Sequence, residues 1–245
     1  MNFNTLALSP EILANLDTLG FEQMTPIQAM SLPKIIEGRD VIGQAKTGSG
    51  KTTAFGLGIL SKLEVESLTT QALVLCPTRE LADQVMGELR RLARATPNVK
   101  IVSLCGGTDE KHQRKSLDYG VHIIVGTPGR IFKLLRTKAI SLSGLKSFVL
   151  DEADRMLDMG FAEDINQIAD FTPKEKQTLL FSATFPETIK ELSVHIQKDP
   201  EMVKVDVEHT ESSIEKLFYK LKSHKDKSSA VVRLLAKYRP ESTVV

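Results

Sequence analysis

The run Ala45-Lys46-Thr47-Gly48-Ser49-Gly50-Lys51-Thr52 has the residue types and order of a phosphate-binding loop. Its glycines let successive backbone N–H groups curl around phosphate oxygens. Lys51 is spaced to reach the β- and γ-phosphates, and the Thr52 hydroxyl to face magnesium. Ala45 stands where such loops usually begin with glycine, so the run alone also fits a Gly-rich turn with an exposed lysine. About a hundred residues later, Ser147-Phe148-Val149-Leu150 ends on Asp151-Glu152-Ala153-Asp154. A carboxylate at a strand tip can hold magnesium through water, which is the role expected of Asp151, and Glu152 beside it can orient or deprotonate an attacking water. The same acidic residues would also suit a helix N-terminus.

Other polar clusters carry both a chemical and a plain structural reading. Thr25-Pro26-Ile27-Gln28 is a capping sequence with Thr25 as N-cap, Pro26 at N1 and Gln28 at N3. The Gln28 carboxamide could also accept from adenine N6 while donating to N7, a pattern guanine does not offer. Pro77-Thr78-Arg79, Gly106-Gly107 and Thr127-Pro128-Gly129-Arg130 read as helix starts, and together as exposed N-termini and arginines suited to a sugar-phosphate backbone. Few aromatics accompany them, so base stacking is not suggested. Ser182-Ala183-Thr184 places hydroxyls near the acidic tip or, equally, caps a helix before Pro186.

These clusters share a position relative to the elements that must hold them. Short apolar runs at Val41-Ile42, Ala72 to Cys76, Ile101 to Leu104, His122 to Val125, Phe148 to Leu150, Thr178 to Phe181 and Met202 to Val207 read as strands. Helical periodicity lies between them, at Phe55, Ile59, Leu60 and Leu63 and at Leu81, Val85, Leu89 and Leu92. That alternation predicts an α/β fold with a mainly parallel sheet and helices on both faces. In an open parallel sheet ligands bind beyond the carboxyl ends of the strands, so the polar junctions after six of these runs should converge on one rim.

The remaining composition bounds the partners. With 32 basic and 31 acidic residues, any nucleic-acid surface must be local. The two cysteines, Cys76 and Cys105, lack the clustering of a metal site or disulfide framework and suit a reducing cytoplasm; no apolar block suggests a membrane. The polar stretch 208–213 reads as a linker, giving a first domain over 1–208 and a second segment over 209–245. In that segment Lys216 to Leu221 reads as a strand, Ala230 to Tyr238 as a helix, and Ser242 to Val245 as a strand cut short.

Taken together, Phe21 with Gln28, the loop 45–52, PTRELA, GG, TPGR, DEAD and SAT occur in the order of the DEAD-box RNA helicases, which the chain resembles over residues 1–207. The resemblance implies a RecA-like P-loop domain that binds ATP and Mg2+, with a nucleotide-recognition motif within residues 1–29. Phe21 would stack on adenine, Gln28 would read it, and Lys51, Asp151 and Glu152 would be catalytic. Pro77, Thr78, Arg79, Gly106, Gly107, Thr127, Pro128, Gly129 and Arg130 would grip an RNA strand, while Asp154, Ser182 and Thr184 couple hydrolysis to strand separation. Phe3 resembles the family's upstream aromatic; Met24 and Thr53 depart from its common proline and alanine. A second RecA-like domain supplying an arginine finger is implied beyond residue 245. Longer matches such as QALVLCPTRELADQV resemble a bacterial branch acting on ribosomal RNA through a C-terminal RNA-binding domain. An RNA clamp gated by nucleotide and a P-loop phosphotransferase are the competing expectations.

Overall fold

The computed structural model describes residues 1–107, 110–205, 217–221, 223 and 226–243. The chain divides into two compact units, Met1–Asp206 and Val207–Val245. The boundary expected after residue 208, and the stretch 208–213, lie outside the described residues.

In the first unit seven strands form one sheet: β1 (Val41–Gln44), β2 (Ala72–Leu75), β3 (Ile101–Leu104), β4 (Ile123–Gly126), β5 (Ser147–Leu150), β6 (Gln177–Ser182) and β7 (Glu201–Lys204). Each lies within or beside an apolar run expected to be a strand. Their order is β3-β4-β2-β5-β6-β1-β7, and every pairing is parallel. Strands covered on both faces can be apolar at consecutive positions rather than alternating with polar residues. Thus Ala72 and Val74 enter one core while Leu73 and Leu75 enter the other.

The first face is covered by α1 (Pro10–Thr18), α2 (Pro26–Ile36), α3 (Lys51–Leu60) and α4 (Arg79–Leu92). The second is covered by α6 (Pro128–Arg136), α7 (Ala153–Asp158), α8 (Ala162–Asp170) and α9 (Glu187–Ile196); a short α5 (Glu110–Lys115) follows β3. Helix α3 stops at Leu60, leaving Leu63 of the expected periodicity in the turn beyond it. Helices α3 and α4 approach closely at a glycine. A Cβ on Gly56 would stand 2.7 Å from Leu92 Cδ1 and 3.0 Å from Leu89 Cδ2.

In the second unit α10 (Lys227–Tyr238) contains the helix expected over Ala230 to Tyr238, and none of its residues is buried. The strand expected over Lys216 to Leu221 is not formed at Leu217–Leu221, and Lys216 lies outside the described residues. Nor do Ser242 and Thr243 form a strand, while Val244 and Val245 are outside. A strand needs a neighbour for its N–H and C=O groups and cover for its side chains. Among the described residues of this unit no such neighbour is present, and Phe218 remains 92% exposed.

Candidate phosphate cleft and adjoining rim

The sheet order sorts the polar strand tips into two halves. The tips of β3, β4 and β2 carry Gly106-Gly107, Thr127 to Arg130 and Pro77 to Arg79; those of β5, β6 and β1 carry Asp151 to Asp154, Ser182 to Thr184 and the loop 45–52. The seam runs between β2 and β5, whose paired ends are Leu75 and Leu150.

In the second half, the loop after β1 turns into α3 through left-handed backbone at Gly48, with φ 80°, and Gly50, with φ 95°. Such values are open to glycine at little cost. Lys51 is buried, and its Nζ donates to Ala45 O at 3.1 Å, folding the side chain back beneath its own loop. Thr47 Oγ1 donates to Glu152 Oε1 at 3.0 Å, tying loop to acidic tip. Between them a cleft of about 380 Å³ is lined by Thr47, Gly48, Lys51, Thr52, Asp151 and Glu152, with α4 forming its opposite wall.

Asp151 is buried at the floor of this cleft. Burial pushes its carboxyl up to about 6 against the pull of the Lys51 charge, with Glu152 and Asp154 adding repulsion, while one oxygen accepts from Glu152 N at 3.0 Å. Glu152 adopts φ 52° and ψ 52° at the N-cap of α7. For a non-glycine residue that conformation costs about 1–3 kcal/mol, the kind of strain that clusters at functional sites. It lets the chain turn sharply after the strand so that Glu152 meets Thr47, while Arg155 NH1 lies 3.4 Å from its other oxygen.

Thr184 donates to Asp154 Oδ2 through both its N–H, at 3.0 Å, and its hydroxyl, at 2.8 Å. Burial would raise the Asp154 carboxyl, but these bonds and one from Arg155 N outweigh it and hold the group below its usual range. Ser182 is buried beside Asp154; its hydroxyl makes no hydrogen bond of normal geometry to another described residue.

The capping role of Thr25 and Gln28 is realised, with Gln28 Oε1 accepting from Thr25 N at 2.9 Å. Both residues also reach the phosphate loop. Thr25 Oγ1 donates to Ser49 O at 2.7 Å and Gln28 Nε2 to Gly50 O at 3.1 Å. Gln28 is 1% exposed, so its carboxamide faces the loop rather than open space. Phe21 is half-buried, with Phe3 packed edge-on at 6.1 Å and 78°.

In the first half, Thr78 caps α4 by accepting from Leu81 N at 3.3 Å, and Pro128 starts α6 after Thr127. The tips are stitched together. Gly106 N donates to Thr127 Oγ1 at 3.3 Å; Gln113 donates to Cys105 O at 3.0 Å and accepts from Arg130 NH1 at 2.6 Å. Arg79, Gly106, Gly107 and Gly129 are exposed, whereas Pro77 and Pro128 are buried as parts of the turns. Arg79 lies 3.6 Å from Asp83 one helical turn on.

Sequence reasoning did not single out Arg155, Gln113 or α4's Gln84, which lines the cleft opposite the phosphate loop. The spacing of Arg155 three residues after Glu152 on a helix was a usable signal. The link from Gln113 to Arg130 had none.

A family model described as DEAD/DEAH box helicase matches residues 25–192. The chain is 53% identical over 244 residues to the ATP-dependent RNA helicase DbpA of Escherichia coli, covering 99% of the chain and 53% of that protein. It is 45% identical over 245 residues to the DEAD-box ATP-dependent RNA helicase CshA of Streptococcus pneumoniae, covering 100% of the chain and 47% of that protein. The chain thus spans about half the length of these curated relatives. Among solved structures, a DEAD box protein from the hyperthermophile Methanococcus jannaschii superposes with a TM-score of 0.82 at 37% identity, over 96% of the chain and 63% of that one. An S. cerevisiae Dbp5 variant bound to RNA and ADP BeF3 superposes with a TM-score of 0.76 at 33% identity, over 84% and 52%.

Proposed function

The chain belongs to the DEAD/DEAH box helicase family, and from that premise we propose that its first unit is the ATP-binding and hydrolysing half of an RNA helicase. The observation that carries this reading is the division of one rim into a phosphate cleft built on the buried Lys51 and Asp151 and a row of helix N-termini carrying the exposed Arg79 and the half-buried Arg130.

In this reading ATP phosphates enter the loop 45–52, meeting amides freed by the turns at Gly48 and Gly50. Lys51 leaves Ala45 O for the β- and γ-phosphates, a charge-assisted bond replacing a neutral acceptor. Glu152 leaves Thr47 to orient or deprotonate the attacking water. Phe21 stacks on adenine and Gln28 reads it, which requires the Gln28 carboxamide to loosen its hold on Gly50 or Thr25. Mg2+ fits the cleft because the Thr52 hydroxyl and the Asp151 carboxylate line the same wall, and oxygen donors of this kind suit a hard cation that keeps several waters. Such an ion supplies neutralisation of charge on the β- and γ-phosphates.

A single RNA strand lies on the other half of the rim, its backbone on Pro77 to Arg79, Gly106-Gly107 and Thr127 to Arg130. The Asp154–Thr184 bonds and Ser182 couple the two ligands, since they join the tips of β5 and β6. A second RecA-like domain, continuing from residues 209–245, supplies the arginine finger, worth about 10³ to 10⁵ in rate. The resemblance to the bacterial branch of the family motivates ribosomal RNA in large-subunit assembly as the target, reached through a C-terminal RNA-binding domain, and a cytoplasmic setting accords with two buried cysteines that form no disulfide. Among the described residues no helix is long and apolar enough to cross a membrane.

ATP turnover measured with and without RNA, on residues 1–245 and on the chain extended through its continuation, tests this. We expect slow hydrolysis with little RNA stimulation and no duplex unwinding from the shorter chain, and RNA-stimulated turnover from the longer one. Turnover indifferent to RNA in both would point to a P-loop phosphotransferase instead, and RNA binding without turnover to a nucleotide-gated clamp.

A further inference from the structure

We infer that an RNA strand held on the tips of β2, β3 and β4 runs on over the outer flank of α5 and α6, a basic surface beyond the residues assigned to it above; this rests on the RNA reading just given. Segment 110–138 carries seven basic and two acidic residues, a net +5 in a chain whose total is +1. The rest of the chain therefore has more acidic than basic residues, and its positive charge is concentrated on this flank.

Lys111, Arg114 and Lys115 of α5 and Lys133 and Arg136 of α6 are all exposed. Two bonds bring the helices together: Arg130 Nη1 donates to Gln113 Oε1 at 2.6 Å in the first turn of α6, and Arg114 Nη2 donates to Thr137 Oγ1 at 3.1 Å just past its last. The exposed cations of both helices thus share one region. Arg130, Lys133 and Thr137 follow one another at i, i+3 and i+7, a single stripe of α6 that leads away from the strand tip. The Arg136 guanidinium lies 5.7 Å from the Phe132 ring centroid, a contact that steadies the group without neutralising it.

The surroundings give this course a border. Helix α6 contains no acidic residue, but on its other side it packs against α8, whose first turn carries Glu163 and Asp164. Those carboxylates repel a phosphate backbone, which leaves the α5 side as the open path. Helix stability does not account for the stripe. Lys133 and Arg136 suit the end of α6, but Arg130 stands in its first turn, where the helix dipole disfavours a cation. Like charges gathered in this way repel one another, a cost that a bound polyanion removes. From Arg130 to Arg136 the helix rises about 9 Å, room for about three phosphates of a stacked strand at roughly 3.4 Å each. Side chains on a helix flank meet phosphates rather than base edges, so the contact is salt-dependent and indifferent to sequence.

The test uses residues 1–245 and two fluorescent oligouridylates, one of about 5 nucleotides that stays on the strand tips and one of about 15 that reaches the flank. Each is titrated between about 50 and 200 mM salt with Mg2+ and a non-hydrolysable ATP analogue present. The short strand should show the slope in log affinity against log salt that Arg79 and Arg130 set, and the long strand a slope steeper by about 2. Replacing Lys115, Lys133 and Arg136 together by Gln should return the long strand to the short strand's slope and weaken it roughly tenfold or more at low salt. The loss should spare the short strand. A control with Lys174, Lys190 and Lys198 replaced by Gln removes the same charge beside β6 and β7 and should keep the steep slope. An equal loss in that control, an equal loss on both strand lengths, or one slope for both lengths in the unsubstituted chain overturns the flank path and leaves the strand-tip reading standing. Displacement of the long strand by polyglutamate as readily as by unlabelled RNA of equal charge would assign the flank to an acidic protein segment and overturn the RNA path. A chain that binds neither length overturns the RNA reading, and the flank path with it.

Discussion

The two halves of the rim solve opposite problems with the same strand-to-helix junctions. Beyond β5, β6 and β1 the charged centre, Lys51 with Asp151, is buried, and the groups around it are bonded within the protein: Lys51 to Ala45, Thr47 to Glu152, Gln28 to Gly50, Thr184 to Asp154. Beyond β3, β4 and β2 the reaching groups are exposed amides, the exposed Arg79 and the half-buried Arg130, on turns braced from behind, as Gln113 braces Arg130. Burial makes a charge reactive but costly, whereas exposure makes a contact cheap and tolerant of sequence. A site for phosphate chemistry needs the first; a site for sliding along a uniform backbone needs the second.

The largest effect should come from the reactive half. Glu152→Gln keeps the shape of the site but removes the base, so turnover in the extended chain should fall about 10²- to 10⁴-fold. Affinity for the ATP analogue should stay within about threefold; comparable losses in both would place Glu152 in binding instead.

Asp151→Asn reports the energetic cost of that half. The folded carboxyl lies near 6, above its ordinary 3.8, so folding favours the protonated form. Its stabilising contribution is complete below pH 3.8 and is lost as pH rises through 6. The variant should therefore be more stable than the unsubstituted chain by up to about 3 kcal/mol at pH 8, with the difference vanishing near pH 4. Denaturant unfolding at both pH values checks this, and an equal difference at both would assign the effect to packing.

The smallest effect belongs to the exposed half. Two arginines, the exposed Arg79 and the half-buried Arg130, lie at the strand tips proposed to hold the backbone. Neutralising two phosphates on a single strand gives a slope of about −1.4 in log affinity against log salt, and Arg79→Ala should reduce its magnitude by about 0.7. A slope several times steeper would mean that lysines outside this half carry the contact.

Much of this contrast was legible in the residues, and the illegible part has a common cause. Apolar runs of two to six residues marked the strands, and Gly48, Gly50 and the carboxylates after Leu150 marked the reactive tips. Which tips stand together was not legible, because crossover helices of similar length permit several strand orders. Nor was the left-handed backbone at Glu152, since nothing in its side chain favours it. Gln28 was readable as a capping residue but not as a partner of Gly50, twenty-two residues away, because that contact exists only once β1 and α2 pack. The strand expected before α10 failed for the complementary reason: local pattern cannot supply a neighbouring strand.

Strand order also sets a timetable. During synthesis the chain emerges from its first residue onward, and β2, β3 and β4 with their helices are complete once Arg136 is free. β1 waits much longer, because its partners are β6 and β7, with Val41 in register with Leu179 and Glu201. The half proposed to grip the backbone can therefore assemble as a nearly local unit, while the phosphate loop, among the earliest residues made, takes its final place only after almost the whole first unit has left the ribosome. A nascent chain would meet a nucleic-acid strand before it could meet a nucleotide.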